Sequence, residues 1–554
     1  MAPYVLAAAV GALIVFLYVV VLNHRRCGNL PPSPPSVPLL GHLHLIGRLA
    51  HRSLHDLHLR YGGGHGLLLL QLGRRRTLVV CTAAAATDMF KNHDLAFASR
   101  PHSVGADKLM YGCDNVSFAP YGESWRRGKK IAVVHLLSPR RVESFAPVRA
   151  AEVAALVART RLAAAEAAGE GVELRGLLYG YANAVVTRAT AGAAGATAER
   201  LKQLMAKSSG FVAGFEPEDV LPDAPARFVR WVTGIDRRLD DIVRAWDTFL
   251  SEIIAAHEEK VGDVAEEDED FLDVLLRLRR DGAEGLELTD NRIKAIVKVI
   301  FVRTQKCSLF KFRFSRNLCF SLFSSTVFDS CVSELWQDVI MAATETSSDT
   351  LEWTMAELVA NPRVMAKLQD EIARAAAARD GQLAESDLNK MGYLRAVLKE
   401  VLRLHPPAPL LVPHESTAPA VVQGYEIPAK TVLFVNVWAI GRDPAVWNAP
   451  EEFRPERFMV ASGGGGAAVD FRGTDYQLIP FSAGRRICPG ISFALPVLEL
   501  ALAGLLRHFD WELPAGVRPG DLDMGEAPGL TTPRRVPLIL VPKCKVLPQP
   551  ALQQ

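Results

Sequence analysis

Near the end of the chain, the stretch FSAGRRICPG, Phe481–Gly490, sets one cysteine in a turn of glycines and arginines, behind a phenylalanine and ahead of a long apolar helical pattern. Cysteine binds metal as its thiolate, and a helix N-terminus stabilises that anion through its free N–H groups and its dipole. Pro489 suits the first turn of the helix that follows, where its missing N–H leaves no bond unmade. Gly484 and Gly490 let the backbone pass close to a flat partner, Phe481 can shield the sulfur from water, and Arg486 can meet an anion. A bare C-x-G turn would more often be a buried structural thiol. The full set of neighbours asks for a flat, metal-bearing ring with acidic substituents. A second grouping carries charge: Glu400 and Arg403 in KEVLR lie three apart on one helix face, and PERF supplies Arg457 as a second cation. Alone, such a helical pair is usually a solvated surface contact.

These side chains need elements to hold them. Leu67–Leu72 and Thr77–Cys81, separated by GRRR, read as a hairpin, and Thr431–Trp438 as a further β-branched and aromatic run. Helical periodicity dominates elsewhere. It covers Ala150–Ala168, Pro362–Ala378 and Ser386–Leu404, the last with Ser386 as N-cap and a proline stop at HPP. Small sheets therefore decorate a helical body. The 554 residues carry a formal charge of +2, a balance without the basic field that nucleic acid would require. Eight scattered cysteines form no spaced framework, which favours a reducing compartment and leaves one cysteine available as a ligand.

The uncharged run Ala2–Leu22 reaches roughly 30 Å as a helix, enough to cross a bilayer. Arg25 and Arg26 follow it and no basic residue precedes it, which places the bulk of the chain on the cytoplasmic side. A cleaved signal peptide would carry its positive charge first and a small-residue cleavage site last. Residues 1–22 thus read as an anchor, residues 23–46 as a basic and proline-rich hinge acting as a semi-rigid spacer, and residues 47–545 as the catalytic domain.

A haem has both the iron and the propionates that the Cys488 loop asks for, and F-x-x-G-x-R-x-C-x-G, followed over nearly the whole chain by agreeing motifs, resembles the cytochrome P-450 superfamily of haem-thiolate monooxygenases. The resemblance implies a mainly α fold with small β-sheets, preceded by one N-terminal transmembrane helix. It implies haem b with Cys488 as the axial ligand of the iron, and a supporting role beneath the haem for Glu400, Arg403 and Arg457. AATETS, Ala342–Ser347, is similar to the family's distal-helix motif, in which Glu345 and Thr346 match the acid and alcohol that relay protons to bound dioxygen; Ala343 stands where glycine is usual. Positioned proton delivery is worth roughly 10²–10⁴-fold in rate. WRRGKK matches a segment whose Trp, here Trp125, and a residue four further on contact a propionate. That second residue is Lys129, which keeps the charge of the usual arginine and loses its planar fork. His414 in PHES occupies another position that meets a propionate.

The chain most resembles the plant microsomal members that oxidise specialised metabolites such as flavonoids, terpenoids or indoles. The expected partners are a lipid membrane, O2, a small lipophilic substrate and NADPH-cytochrome P-450 reductase, docked through Arg126, Arg127, Lys130 and Arg485. The expected location is the endoplasmic reticulum membrane, single-pass, with the catalytic domain cytoplasmic. By the same resemblance the pocket is lined from Ser103–Ser117, Phe211–Phe215, Met341–Thr344, Pro409–Val412 and Pro528–Thr531. Rival readings are a reductase-independent haem-thiolate isomerase or dehydratase, and a catalytically silent membrane protein.

One segment stands apart. Val299–Gln337 contains no Ala, Gly or Pro in a chain rich in all three, yet holds seven of the 24 Phe and three of the eight Cys. Translation of a T-rich intron inside a GC-rich gene would produce this composition. Val299 requires a codon beginning GT, and CAG can encode Gln337, matching the usual intron borders. A functional insertion loop is the alternative, but a basic, Phe-rich segment without turn residues makes a poor surface loop. The 39 residues interrupt what would otherwise be one continuous distal helix, so a catalytically impaired isoform is a further expectation.

Overall fold

The computed structural model describes residues 29–546 apart from 39, 110–114, 193–199, 201–203, 205–216, 222, 260–267, 282–292, 295–342, 379–382 and 460–468. The expected anchor, the Val299–Gln337 segment, Phe211–Phe215 and Met341–Ala342 lie outside the described residues.

The expected hairpin forms from β1 (Leu67–Leu72) and β2 (Arg75–Val80), antiparallel with Leu67 opposite Val80 and Leu72 opposite Arg75. β3 (Val172–Glu173) belongs to a second sheet, while β4 (His414–Glu415) closes the first. β5 (Ala420–Val422) and β6 (Tyr425–Ile427) make a separate hairpin, and β7 (Val432–Val435) runs parallel to β2 in a sheet of order β1-β2-β7-β4. Within the run Thr431–Trp438 the strand stops because the Asn436 side chain accepts the N–H of Ala439 at 3.0 Å and caps a short helix, Val437–Ile440. β8 (Phe509–Glu512) and β9 (Ile539–Cys544) pair antiparallel, with β3 on the other side of β9.

The longer helices are α1 (Ala50–Tyr61), α2 (Glu123–Ile131), α3 (Ala146–Glu166), α4 (Leu174–Ala191), α5 (Asp223–Thr233), α6 (Ile235–Glu258), α7 (Phe271–Arg280), α8 (Thr344–Ala360), α9 (Pro362–Ala377), α10 (Gly392–Leu404) and α11 (Ile491–His508). Helices α3, α4, α8, α10 and α11 meet in one large apolar core that includes Leu156, Tyr181, Leu351, Met355, Val397 and Leu502. α11 is long and apolar enough to cross a membrane, but it is mostly buried in this core. α8 is buried almost all round although many of its side chains are polar. Each buried acid on it needs a partner: Glu352 takes Arg175 Nε at 2.8 Å, and Glu357 takes His405 Nε2 at 2.7 Å while His405 stacks on Trp353 at 4.0 Å.

Two expectations change. The helix expected from Ser386 begins at Gly392 instead, after a 3-10 turn at Glu385–Lys390. Its cap comes from α9, where the Glu371 carboxylate accepts the N–H groups of Tyr393 and Leu394 at 2.9 and 2.8 Å. The described part of the proline-rich hinge also packs onto the domain and does not stand off as a spacer. Leu69 N–H donates to Pro32 O at 2.8 Å, Glu426 N–H to Asn29 O at 2.7 Å, and buried His42 bridges Gln71 N–H and Pro34 O. Proline carbonyls keep their acceptor capacity, so the hinge can pair with a sheet edge through them.

Glu526 ties α1 to the C-terminal region. His51, Arg52 and Trp438 donate to its carboxylate at 3.0, 2.7 and 3.1 Å. Burial alone would push this carboxyl up, but the His51 and Arg52 contacts outweigh it and hold it at about 2, below the usual 4.5. A depressed folded-state value contributes stability that is complete above the unfolded value and fades as pH falls from about 4.5 toward 2. Chaotrope midpoints measured across that window should fall more steeply for the wild type than for Glu526→Gln; parallel slopes would contradict the linkage.

Candidate active site

The Phe481–Gly490 loop is built around glycine. Gly484 has φ of 63°, and a Cβ there would stand 2.2 Å from the Asp94 carboxylate, so no other residue lets the loop approach so closely. Cys488 N–H donates to Phe481 O at 2.9 Å and closes the turn, while Phe481 packs edge-on against Phe471. Burial pushes the Cys488 thiol up; the Gly490 N–H and the Lys129 charge pull it the other way. α11 starts at Ile491 with Gly490 as its cap, so Pro489 lies in the turn ahead of the helix and not in its first turn. The first helical carbonyl in use is that of Gly490, which accepts Phe493 and Ala494 N–H. At Gly490 a Cβ would meet nothing closer than Cys488 Sγ at 3.7 Å within the chain. Any need for glycine there comes from a partner outside it.

Beside the loop lies a basin of buried positive charge. Arg486 donates to Ala98 O (2.7 Å), Val116 O (3.2 Å) and Ala119 O (2.6 Å), and Arg100 to Ser117 O (3.0 Å), Val412 O (2.7 Å) and Pro413 O (2.8 Å). His414 donates Nδ1–H to Phe97 O at 2.8 Å, and its buried Nε2 has no hydrogen-bond partner. Lys129 donates to Arg485 O. No carboxylate hydrogen-bonds Arg100, Arg486 or His414 among the described residues, and the consequence is visible in their acidities. Burial lowers Arg486 to about 9; burial and then the neighbouring arginines hold Arg100 and His414 well below their ordinary values, and Lys129 is lowered in the same sense. Buried cations without a counter-ion are strongly disfavoured, so this basin fits an anionic group with at least two acids. The two propionates of a haem meet that requirement, with Cys488 close by in sequence to hold the iron.

Trp125 acts on this basin through its ring. Its indole N–H is taken by Val116 O at 3.0 Å, and its face lies 4.2 Å from the Arg486 guanidinium and 5.3 Å from Lys129 Nζ. Arg100 was not legible as a site residue, because a lone arginine in AFASRP has no spacing partner. It also joins two expected pocket segments, Ser103–Ser117 and Pro409–Val412, through one side chain.

On α8, Glu345 is buried and Thr346 half-buried. The Thr531 hydroxyl lies 3.3 Å from Glu345 Oε2, so the Pro528–Thr531 segment reaches the acid directly. The same loop is pinned by Trp353 Nε1–H to Thr532 O (3.0 Å) and Thr532 N–H to Pro407 O (3.0 Å). Ser347, Thr350 and Thr354 turn their hydroxyls onto carbonyls one helical turn back, at 2.7, 2.6 and 2.6 Å. Such back-bonding hydroxyls bend helices.

The Glu400 cluster is wholly buried. Arg403 meets Glu400 through two parallel bonds of 2.7 and 2.8 Å, and Arg457 Nε and the Arg454 N–H add 2.9 and 2.8 Å contacts to Oε1. The remaining arginine N–H groups bind the carbonyls of Gly441, Asn448, Ala449, Pro450 and Glu452, so a whole loop is gathered around one carboxylate. This is a structural knot where an isolated pair would have been solvated.

The sequence profile of the Cytochrome P450 family matches residues 31–306 and 325–540. Among curated proteins, Cytochrome P450 71A9 of Glycine max is 39% identical, with 92% of each chain covered. (+)-Menthofuran synthase of Mentha piperita is 36% identical over 96% of this chain and 98% of its own length, and premnaspirodiene oxygenase of Hyoscyamus muticus is 37% identical over 94% and 93%. A zebra fish cytochrome P450 solved with progesterone shares the fold, with a TM-score of 0.65 at 22% identity over 89% of this chain and 99% of that one.

Removing Arg403 would leave the Glu400 carboxylate buried with one cation fewer. Breaking a buried pair in this way costs about 3–5 kcal/mol. Arg403→Met should therefore lower the unfolding free energy by roughly that amount in chaotrope titration, whereas a loss within error would show the knot to be dispensable.

Proposed function

The chain belongs to the cytochrome P450 family and is a monooxygenase of the plant specialised-metabolism type, and from that premise we propose that it inserts one oxygen atom from O2 into a small lipophilic metabolite, with haem b held by Cys488. The observation that carries the haem assignment is the basin of Arg100, Arg486 and His414, two buried arginines without a hydrogen-bonded carboxylate among the described residues and a buried imidazole with an unpartnered Nε2, beside the half-buried Cys488 thiol. A haem bound there would supply the redox chemistry for dioxygen activation, with Cys488 as the thiolate that would hold its iron. The chain's own residues do the rest. Cys488 ligates, Arg100, Arg486 and His414 orient the two propionates, and Trp125 and Lys129 back them. Glu345 and Thr346 hold and pass protons, and Thr531 fixes the carboxylate's direction. An intact acid and alcohol on α8 favour oxygen chemistry over a reductase-independent isomerisation or dehydration.

Electrons come from an NADPH-cytochrome P-450 reductase. The basic face of α2 with Arg126, Arg127 and Lys130 suits an acidic partner; Arg126 and Arg127 share the exposed Glu123 carboxylate, which a partner can replace. The enzyme sits on the endoplasmic reticulum membrane through residues 1–22. The hinge is linked to α5: Gly73 N–H donates to Leu40 O, and the adjacent Arg74 binds Asp223 at the start of α5. α5 exposes Phe228, Trp231 and Val232, an apolar patch that suits contact with a lipid surface.

Residues 299–337 are an insertion from a retained intron or a gene-model error, and their removal raises the yield of active enzyme. The family profile skips 307–324, inside that segment. The flanking residues still take helix-like roles, with Ile293 buried in the core and Lys294 paired to Asp247 at 2.6 Å. Substrate class is best sought by untargeted metabolite comparison.

Microsomes containing the protein and a plant reductase should give a reduced carbon monoxide complex with the thiolate Soret position, and NADPH-dependent oxygenated products. Cys488→Ser should lose both; a mutant that kept the wild-type Soret position would overturn the ligand. Deleting Val299–Gln337 should raise the yield of haem-loaded, active enzyme, whereas loss of an activity that the full chain possesses would identify a functional insertion.

A further inference from the structure

Arg485 was expected to dock the reductase; its side chain is 46% exposed, but its charge is already engaged within the chain. Its backbone N–H donates to Asp94 Oδ1 at 3.0 Å and its guanidinium to Asp94 Oδ2 at 2.5 Å, while its carbonyl accepts Lys129 Nζ. Asp94 lies 391 residues earlier and is largely buried, its side chain 15% exposed. The carboxylate occupies the space that a side chain at Gly484 would need. The segment that begins at Asp94 also supplies Phe97 O to His414 and Ala98 O to Arg486. One short segment therefore touches the thiolate loop and two members of the cationic basin.

We propose that Asp94 is a positioning residue for the Cys488 thiolate, acting through Arg485 as an internal latch, and that Arg485 is not a docking charge. The proposal rests on Cys488 being the haem ligand. The loop from Gly484 to Cys488 is closed by Cys488 N–H to Phe481 O, and Arg486 pins one end of the Gly484–Arg486 turn, so the remaining freedom lies at Gly484 and Arg485. Asp94 fixes that turn from one side and Lys129 from the other. Loss of the carboxylate lets the turn rotate, which moves the sulfur and the Gly490 N–H that polarises it. A charge-assisted hydrogen bond to both the peptide and the guanidinium gives the latch its strength.

The test uses the full chain with bound haem in microsomes. The readouts are the Soret position of the reduced carbon monoxide complex, its rate of conversion to the form that has lost thiolate ligation, and the haem midpoint potential. Asp94→Ala should lose the thiolate signature at least about tenfold faster than wild type, the size expected of one charge-assisted bond, and should shift the potential. Asp94→Asn, which keeps an acceptor for the Arg485 N–H, should fall between the two, and it carries the test if the alanine variant holds no haem. Arg485→Gln should match Asp94→Asn and leave the salt dependence of reductase-supported turnover as in wild type, whereas Arg127→Gln should flatten it. Variants that unfold more easily but keep wild-type signature, decay rate and potential would reduce Asp94 to a structural contact. An Arg485→Gln that flattened the salt dependence would restore Arg485 to docking. A wild type without the thiolate signature would overturn the ligand assignment together with the latch, an outcome distinct from either of these.

Discussion

A charged arginine taken out of water must have its charge answered, and at one place in this protein no carboxylate among the described residues hydrogen-bonds it. Arg100, Arg486 and His414 are buried together, with backbone carbonyls and Trp125 as their described partners. Carbonyl dipoles offset only part of the desolvation, which is why all three groups lose protons more readily than usual, and the neighbouring arginines add repulsion at Arg100 and His414. A bound dianion reverses the balance. Those carbonyls belong to Phe97–Ala119 and Val412–Pro413, and the groups that bind them to residues 100, 414 and 486, so the same interaction joins segments distant in sequence. Binding of the anionic group and folding of these segments are therefore linked, and ligand occupancy stabilises the whole face.

A different rule governs the opposite charge. Glu400 is buried too, but the chain answers it twice over, with Arg403 and Arg457, and then satisfies both arginines with loop carbonyls. That self-sufficient knot fixes the loops around it. The contrast separates a cluster that holds structure from one that awaits a partner.

Both clusters were partly legible in the sequence, for different reasons. Cys488, Arg486 and the Glu400–Arg403 pair sit at short fixed spacings, and local geometry is what a sequence states directly. The hairpin and the α9 helix came from period and composition and stand where expected. Arg100, Thr531 and Asp94 act through partners far along the chain, and a single sequence carries no sign of such pairings. The misplaced start of α10 has the same origin, since a carboxylate from α9 replaced the local cap. Pro489 was assigned to a helix because proline favours first turns, while the polarisation of Cys488 Sγ by the Gly490 N–H was invisible from spacing.

The basin's demand for two acids can be measured directly. Haem-depleted protein can be titrated with haem and with haem whose two carboxyl groups are esterified, following the Soret band. Haem should bind roughly 100-fold more tightly than its diester, the scale of two charge-assisted hydrogen bonds, and Arg100→Leu should narrow the gap. Equal affinities for the acid and the diester in the wild type would contradict a basin built for anions.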